Sequence, residues 1–387
     1  MSVSVRANPK VPRILLEPVC GCILSGILVA GLWPFHAPRN EVTWSHAGNG
    51  LSFGKHGSIV STGSFNHSRL QPGNCSIEIW LEPHRVDYAG TILAFYWPAT
   101  RETTFSLRQS LSDLKLEGII QDGSARKARM FVEVFSSLKP IFVTVSSGDS
   151  GMAVYVDGAL VRKSSRLRIP SSALSDGLVI GNAPSTADSW SGQLKGLAVY
   201  DRELPPFEVS QHFSNWKNGL PPAGNGASIA TYRFDEGKGN VVHGQGTSAP
   251  DLLIPDRFFV LNQQFLERPW DEFRPDWHYW EDVAVNIGGF IPLGFFFGAY
   301  FSATRRIKRA IWLTIGMGFV VSLTIEVLQS FLPTRDSGMT DLFTNTLGTA
   351  LGAMLWMLSM KRNWFVQSIG PYLRFPGVTP VRATDHE

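Results

Sequence analysis

The chain has 387 residues, a formal net charge of +3 and three cysteines. The length suits two or three domains, and so small a charge argues against nucleic-acid binding through a basic surface. Cys20 and Cys22 lie in an apolar run and Cys75 stands alone in the polar part, so no disulfide framework is available there and that part must rest on a hydrophobic core.

Residues 1–13 carry Arg6, Lys10 and Arg13 and no acid, which predicts a cytoplasmic basic tail. Residues 14–35 are apolar except for Glu17 and Pro18, and predict a first transmembrane helix. A cleaved signal peptide is the competing reading. The run is long for one, and no small-x-small site follows Leu32-Trp33-Pro34-Phe35. A lipoprotein box at Val19-Cys20-Gly21-Cys22 is disfavoured because the apolar run continues past it.

From about residue 50 to 215 apolar and polar residues alternate with the period of half-buried strands. Ile77, Ile79 and Leu81 point one way; Glu78, Trp80 and Glu82 point the other, toward solvent. Further strands are predicted at 91–97, 141–146, 151–156, 178–181 and 194–200, with a tight hairpin turn at Asp157-Gly158. A short helix is predicted at 205–216, with Val209, Phe213 and Trp216 as its apolar stripe. Many short strands at regular spacing predict an all-β antiparallel sandwich. Residues 220–226 read as a loop, and 256–280 as a juxtamembrane linker. Trp270, Phe273, Trp277, Tyr279 and Trp280 in that linker suit a headgroup belt more than a substrate platform.

Residues 281–360 contain three more charge-poor runs, 283–303, 310–332 and 342–360, each about the length that crosses roughly 30 Å of hydrocarbon. With 14–35 they make a four-helix transmembrane bundle. The basic tail, the loop Arg305-Arg306-Ile307-Lys308-Arg309 and Lys361-Arg362 then share one side, the cytoplasm, with the tail 361–387. The sandwich falls outside an inner (plasma) membrane of bacterial type. Polar residues recur at helical spacing: Asp282 with Asn286, Glu326 with Gln329, Asp341 with Asn345. In this topology they gather at the outer leaflet, with Arg335 in the loop between as the nearest partner for Glu326. An intramembrane charge needs a partner or hydration, so these seven residues are either a candidate binding site or a buried hydrogen-bond network that only fixes the bundle. Gly294-x3-Gly298 and Gly348-x3-Gly352 are faces where helices can approach closely. Pro292 frees a backbone carbonyl beside Asn286.

Two phrases of the helical part carry a resemblance: Asp282-x3-Asn286-x3-Phe290-Ile291-Pro292-Leu293-Gly294, and Ile325-Glu326-x2-Gln329-x2-Leu332-Pro333-x-Arg335-x5-Asp341-x3-Asn345-Thr346-x-Gly348-x3-Gly352. They resemble the VanZ-like membrane proteins, whose founding member is linked to teicoplanin resistance. Ser76-Ile77-Glu78-Ile79-Trp80, Val154-Tyr155-Val156-Asp157-Gly158, Gly192–Tyr200 and Tyr232-Arg233-Phe234-Asp235-Glu236-Gly237 are similar to the concanavalin A-like lectin/glucanase superfamily in its laminin G-like form. That resemblance covers roughly 45–255 and implies a sandwich of jelly-roll form, which is then an insertion between the first two spans.

The superfamily's glucanases use a Glu-x-Asp-x-Glu strand. Trp80 stands in the middle position here, so Glu78 and Glu82 are read as solvent-facing strand carboxylates, not a catalytic pair. The expected partners are membrane lipid and a glycan or cell-wall precursor. The expected role is binding at the cell envelope, with a link to glycopeptide resistance. The contrasting reading is an enzyme on a lipid-linked glycan with Glu326 or Asp341 as base. It lacks metal-ligand spacing and a nucleophile motif, and His278 stands alone, so no catalytic residue, metal or cofactor is assigned. Calcium in the sandwich is allowed by the resemblance, with no ligands assignable. A plain membrane anchor for the sandwich is the third reading.

Overall fold

The computed structural model describes residues 13–45, 48–65, 74–119, 127–169, 171–174, 176–220, 228–273, 277–303 and 305–369. Arg6, Lys10, the loop at 221–226 and the tail beyond 369 lie outside them. The chain forms two compact units. One comprises 36–264 with 332–336; the other comprises residues up to 35 with 265–331 and 337 onward. The segment read as a linker is thus divided between them.

The first unit is an antiparallel sandwich. One sheet runs in the order Val42–Trp44, Leu51–Phe53, Gly192–Tyr200, Cys75–Pro83, Ile141–Gly148, Gly151–Val156, Ala159–Ser164, with Ser228–Tyr232 also paired to Gly192–Tyr200. The other runs Val241–Val242, Leu252–Leu253, Ile59–Ser61, Gly177–Ile180, Ala89–Tyr96, Thr103–Ser110, Asp113–Ile119, Lys127–Glu133. Alternation selects the core. Ile77, Ile79 and Leu81 are buried together with Val143, Val145, Leu197 and Val199 of the flanking strands, among Phe95, Phe105, Leu107, Leu116 and Trp190 of the same core. The hairpin at Asp157-Gly158 is present. Both residues have positive φ, 50° and 81°, as a primed turn requires. The Asp157 carboxylate also accepts from Phe142 N–H at 2.9 Å.

The outer face of the first sheet is covered too, and this corrects the sequence reading. A helix spans Pro206–Lys217, started by Pro206 in its first turn, with Glu208 bonded to Arg202 at 2.6 Å. It buries Val209, His212 and Trp216; the expected Phe213 packs at the edge. Trp216 sits so close to the sheet that a Cβ at Gly196 would stand 2.3 Å from its ring. Under this lid Glu78 is fully buried, not solvent-facing as expected. Glu82 stays half-buried and pairs with Lys195 at 2.7 Å.

The second unit is helical: α1 (Arg13–Leu32), the short helix at Pro269–Glu272, and then Trp277–Ser302, Ile307–Gln329 and Met339–Ile369. The three long C-terminal helices are called A, B and C here. A, B and C pack on one another, and α1 packs on A and B. A and C run parallel. Asn286 bonds Asp341 near one end, and Trp356 Nε1 donates to Ser302 Oγ at 3.2 Å toward the other. Their backbones touch where the glycine faces predict. A Cβ on Gly294, Gly348 or Gly352 would lie 2.0–2.2 Å from a carbonyl oxygen of the opposite helix. Helix A continues through Pro292. Among the described residues, A and B are long and apolar enough to cross a membrane, and Leu16–Leu32 is apolar but shorter. Helix C carries Thr340, Asp341, Thr344, Asn345, Thr346 and Thr349 in its first turns and continues to Ile369, past the expected end at 360.

Candidate functional site

The buried face of helix B repeats every fourth residue: Ala310, Thr314, Gly318, Ser322, Glu326. It begins with small side chains that admit helix C and ends with polar ones. Ser322 accepts from Asn345 Nδ2 at 3.0 Å, which ties B to C. One turn on, Asp341 accepts from Asn286 Nδ2 at 2.7 Å, which ties C to A. Gln329 Nε2 donates to Gly31 O at 2.8 Å, which ties B to α1. Glu326, 1% exposed, accepts at Oε2 from the Gly338 N–H at 2.9 Å. Five of the seven predicted residues are therefore parts of one polar end of the helical unit.

The other two make none of the bonds just described. Asp282 is exposed, one turn before Asn286 and outside the hydrogen bonds just described. Arg335 belongs to the sandwich unit, where its carbonyl accepts from Gln263. The backbone amide of Gly338 meets Glu326 in the place where Arg335 was expected.

Four contributors escape sequence reading. Ser322 lies one turn below Glu326 and was the one legible signal. Glu272, in the segment read as a headgroup belt, accepts from Thr340 N–H at 3.1 Å and from the Thr340 hydroxyl. Ser337, buried, accepts from Leu266 N–H at 3.3 Å. Gly338 pairs as a short parallel bridge with Glu267, and any Cβ there would strike the Glu272 carboxylate. The 265–272 segment thus closes over the start of helix C.

Two polar groups in the sandwich were also weighed. Glu78 faces His212 Nδ1 at 3.0 Å and accepts from Tyr200 Oη at 2.7 Å, with Thr144 Oγ1 at 3.5 Å. Burial and the neighbouring carboxylate push the Tyr200 phenol far above its ordinary range, so it remains a donor. Glu78, Tyr200 and His212 are all 2% exposed or less and bond one another, so they form a closed node beneath the helix. Burial likewise pushes the Cys75 thiol up to about 12, which makes it inert as a nucleophile.

The second group lies at the other sheet, where Arg108 bonds Asp188 through both Nε, at 2.8 Å, and Nη2, at 3.0 Å, and Thr91 Oγ1 adds a third bond at 2.6 Å. Burial alone would raise the Asp188 carboxyl; the bonds from Arg108 and Thr91 and the adjacent positive charge outweigh it and hold the group below its ordinary value. A depressed carboxylate contributes stability that is present above its unfolded value, near 4, and is lost as pH falls through the folded value. Arg108→Ala is therefore expected to cost about 1.5–3 kcal/mol at neutral pH. It should also flatten the decline in stability below pH 4, measured by denaturant unfolding across pH. An unchanged acid limb would refute the assignment. Among the described residues no group of His, Cys, Asp and Glu is arranged to hold a metal ion.

Comparison with known proteins agrees with this architecture. Residues 233–360 match the VanZ/LLP1 family, and residues 55–210 match the concanavalin A-like lectin/glucanases superfamily. The chain joins a VanZ/LLP1 segment to a concanavalin A-like domain. The VanZ/LLP1 match takes in helices A, B and most of C, with all seven predicted site residues. It begins at Arg233, within the sandwich unit.

Among solved structures, the chain is similar to a heptameric SAP-like pentraxin from Limulus polyphemus at 18% identity, covering 57% of this chain and 94% of that one, with a TM-score of 0.35. It is similar to the receptor binding domain of botulinum neurotoxin D at 13% identity, covering 46% of each chain, with a TM-score of 0.34. A botulinum neurotoxin serotype D ligand binding domain in complex with N-acetylneuraminic acid is 14% identical, with 46% of this chain and 45% of that one covered and a TM-score of 0.34. The chain thus spans about half the length of the toxin domains. The fold assignment rests on the sheet order and the family match. No curated protein matches the chain.

Proposed function

We propose that this is a multi-pass protein of the inner (plasma) membrane that binds the headgroup of a lipid-linked cell-wall or glycan molecule at the polar end of its VanZ/LLP1 segment. The arrangement of the helices supports four spans with both termini cytoplasmic. Arg305–Arg309, at the A–B junction, and Lys361, near the end of C, lie at the end of the helices opposite the polar residues. The Gly31–Gln329 bond puts the end of α1 with the polar residues, so its start at Arg13 joins the basic end. Basic residues at one end and acids and amides at the other is the distribution expected of an outward-facing site. The concanavalin A-like domain then lies outside and serves as a glycan-binding module.

The observation that carries this reading is the buried amide of Asn345. It is 4% exposed, and its Oδ1 has no hydrogen-bond partner among the described residues, one helical turn from Asp341. A buried acceptor left unmet costs about 1–3 kcal/mol, which a bound headgroup recovers. A protein that holds a cell-wall precursor would also compete with a glycopeptide drug for it.

The test uses the full chain in nanodiscs and a fluorescent lipid-linked disaccharide-pentapeptide. Asp341→Asn is expected to weaken binding at least tenfold while amide exchange in helices A and C is unchanged. The probe should be recovered unaltered, as a binder requires. Unaltered affinity would defeat the proposal, and turnover of the probe would replace it with an enzyme. Expression of the wild type, and not of the variant, should raise the inhibitory concentration of teicoplanin.

A further inference from the structure

Several donors at the polar end of the helical unit are already taken. The Gly338 N–H, one residue before helix C, is taken by Glu326; the Thr340 N–H and hydroxyl are taken by Glu272. Asn286 gives its amide N–H to Asp341, and Asn345 gives its own to Ser322. A helix N-terminus ordinarily attracts an anion through its unsatisfied N–H groups and its dipole. At helix C two carboxylates of the protein already occupy that place. A phosphate arriving there would meet carboxylates on three elements: Glu272, Glu326 and Asp341.

What the site offers is acceptors. Asn345 is buried, and its Oδ1 has no partner. Its cross-link to Ser322 fixes where that oxygen lies. Asp341 is one turn away toward the start of helix C, and Glu326 is one turn from Ser322 toward the end of helix B. An unmet carbonyl thus lies one helical turn from Asp341 on its own helix and across from Ser322, itself one turn from Glu326, in surroundings where acceptors and negative charge call for a donor-bearing cation.

We infer that the group received here is a primary ammonium on an amphiphile, donating to Asn345 Oδ1 and balancing Glu326 and Asp341, and not the phosphate of its headgroup. This rests on the reading that the polar end receives a headgroup at all, and it narrows that headgroup's chemistry. Two sources carry such a group: the ethanolamine of a phospholipid, and the free side-chain amine of a lipid-linked peptide stem. Guanidinium is less suited, because its planar fork calls for a paired carboxylate face, whereas one amide oxygen and two separate carboxylates match the three diverging donors of an ammonium.

The test compares each amine with its acetylated form. The full chain in phosphatidylcholine nanodiscs is titrated with fluorescent phosphatidylethanolamine and its N-acetyl derivative. It is then titrated with a lipid-linked disaccharide-pentapeptide carrying a free lysyl amine and with its N-acetyl-lysyl form. Acetylation is expected to weaken binding at least tenfold in one pair, and that pair names the source. Asn345→Leu should abolish the difference. Gly288→Ala, where an added Cβ meets nothing within 4 Å, should keep it. If Asn345→Leu fails to assemble, Glu326→Gln, which still accepts from Gly338, should reduce the ratio at least threefold. Equal binding of amine and acetylated forms in both pairs, with Asp341→Asn still weakening both, would overturn the ammonium and leave headgroup binding standing. No binding of any probe would overturn both.

Discussion

Glu78→Ala is expected to destabilise the sandwich by about 3–5 kcal/mol, the range for breaking a buried charged pair by removing one member. The carboxylate is the shared acceptor beneath the helix at Pro206–Lys217. Tyr200 donates to it at 2.7 Å, His212 stands at 3.0 Å and Thr144 at 3.5 Å. Alanine strands the Tyr200 hydroxyl, whose raised pKa bars it from escaping the loss by ionising. It also leaves a void beside His212, below the aromatic cluster of Phe142, Trp216 and Trp80. In a unit of some 200 residues each kcal/mol moves the midpoint by roughly 2–4 °C, so a fall on the order of 10 °C is expected. Glu78→Gln keeps an acceptor for Tyr200 and should lose less, about 1–3 kcal/mol. Pulse proteolysis of the full chain measures both, and the helical unit should keep its amide protection in each. If glutamine costs nothing while alanine costs the full amount, the charge on Glu78 contributes nothing and the site is a neutral hydrogen-bond node.

That prediction starts from a residue the sequence misplaces, and the reason is general. A period of two says which side chains share a face; it does not say what covers each face. Ile77, Ile79 and Leu81 were legible as core because the partner sheet supplies more apolar alternation. Glu78 was not, because its lid is a helix 130 residues further on. In that helix Val209 predicts partners at both i+3 and i+4, and the apolar Phe213 draws attention from His212, which is the residue turned inward. Strands Thr103–Ser110, Asp113–Ile119 and Lys127–Glu133 were not predicted at all. Their outer positions carry Arg108, Lys115, Glu117 and Arg129, and so many charges dilute the strand signal. The helical unit was more legible. Pairs at i, i+4 fix a face with no knowledge of the neighbour, which is why Asn286, Glu326, Gln329, Asp341 and Asn345 are found together. Asp282 shares a face with Asn286 by spacing, yet stands a turn nearer the end of helix A and points out of the unit. Glu272 and Ser337 belong to segments with no period, and nothing local marks them.

Replacing Gly348 with valine is expected to disassemble the helical unit, with a loss of ~3 kcal/mol or more, at or above the upper end of overpacking costs. The clash is with backbone, which cannot rotate away. The first side-chain atom would stand 2.2 Å from Ile287 O, and at Gly294 the corresponding gap to Thr349 O is 2.0 Å. Small residues are what let A and C approach so closely. The protein holds its own controls. At Gly298 the nearest atom to an added Cβ is 3.5 Å away, an ordinary contact, so Gly298→Ala should be tolerated. At Gly288 there is nothing within 4 Å, and alanine there should be neutral or stabilise by up to about 1 kcal/mol through helix propensity. The readout is the fraction of full chain recovered monodisperse and resistant to protease in detergent. The consequence reaches the site, because the 2.7 Å bond from Asn286 to Asp341 spans the interface that valine forces apart. Headgroup binding should fall in step with assembly in Gly348→Val and survive in Gly298→Ala and Gly288→Ala. Equal recovery of all three variants would mean that A and C do not meet through their glycine faces, and the polar end would lose the contact that gathers it.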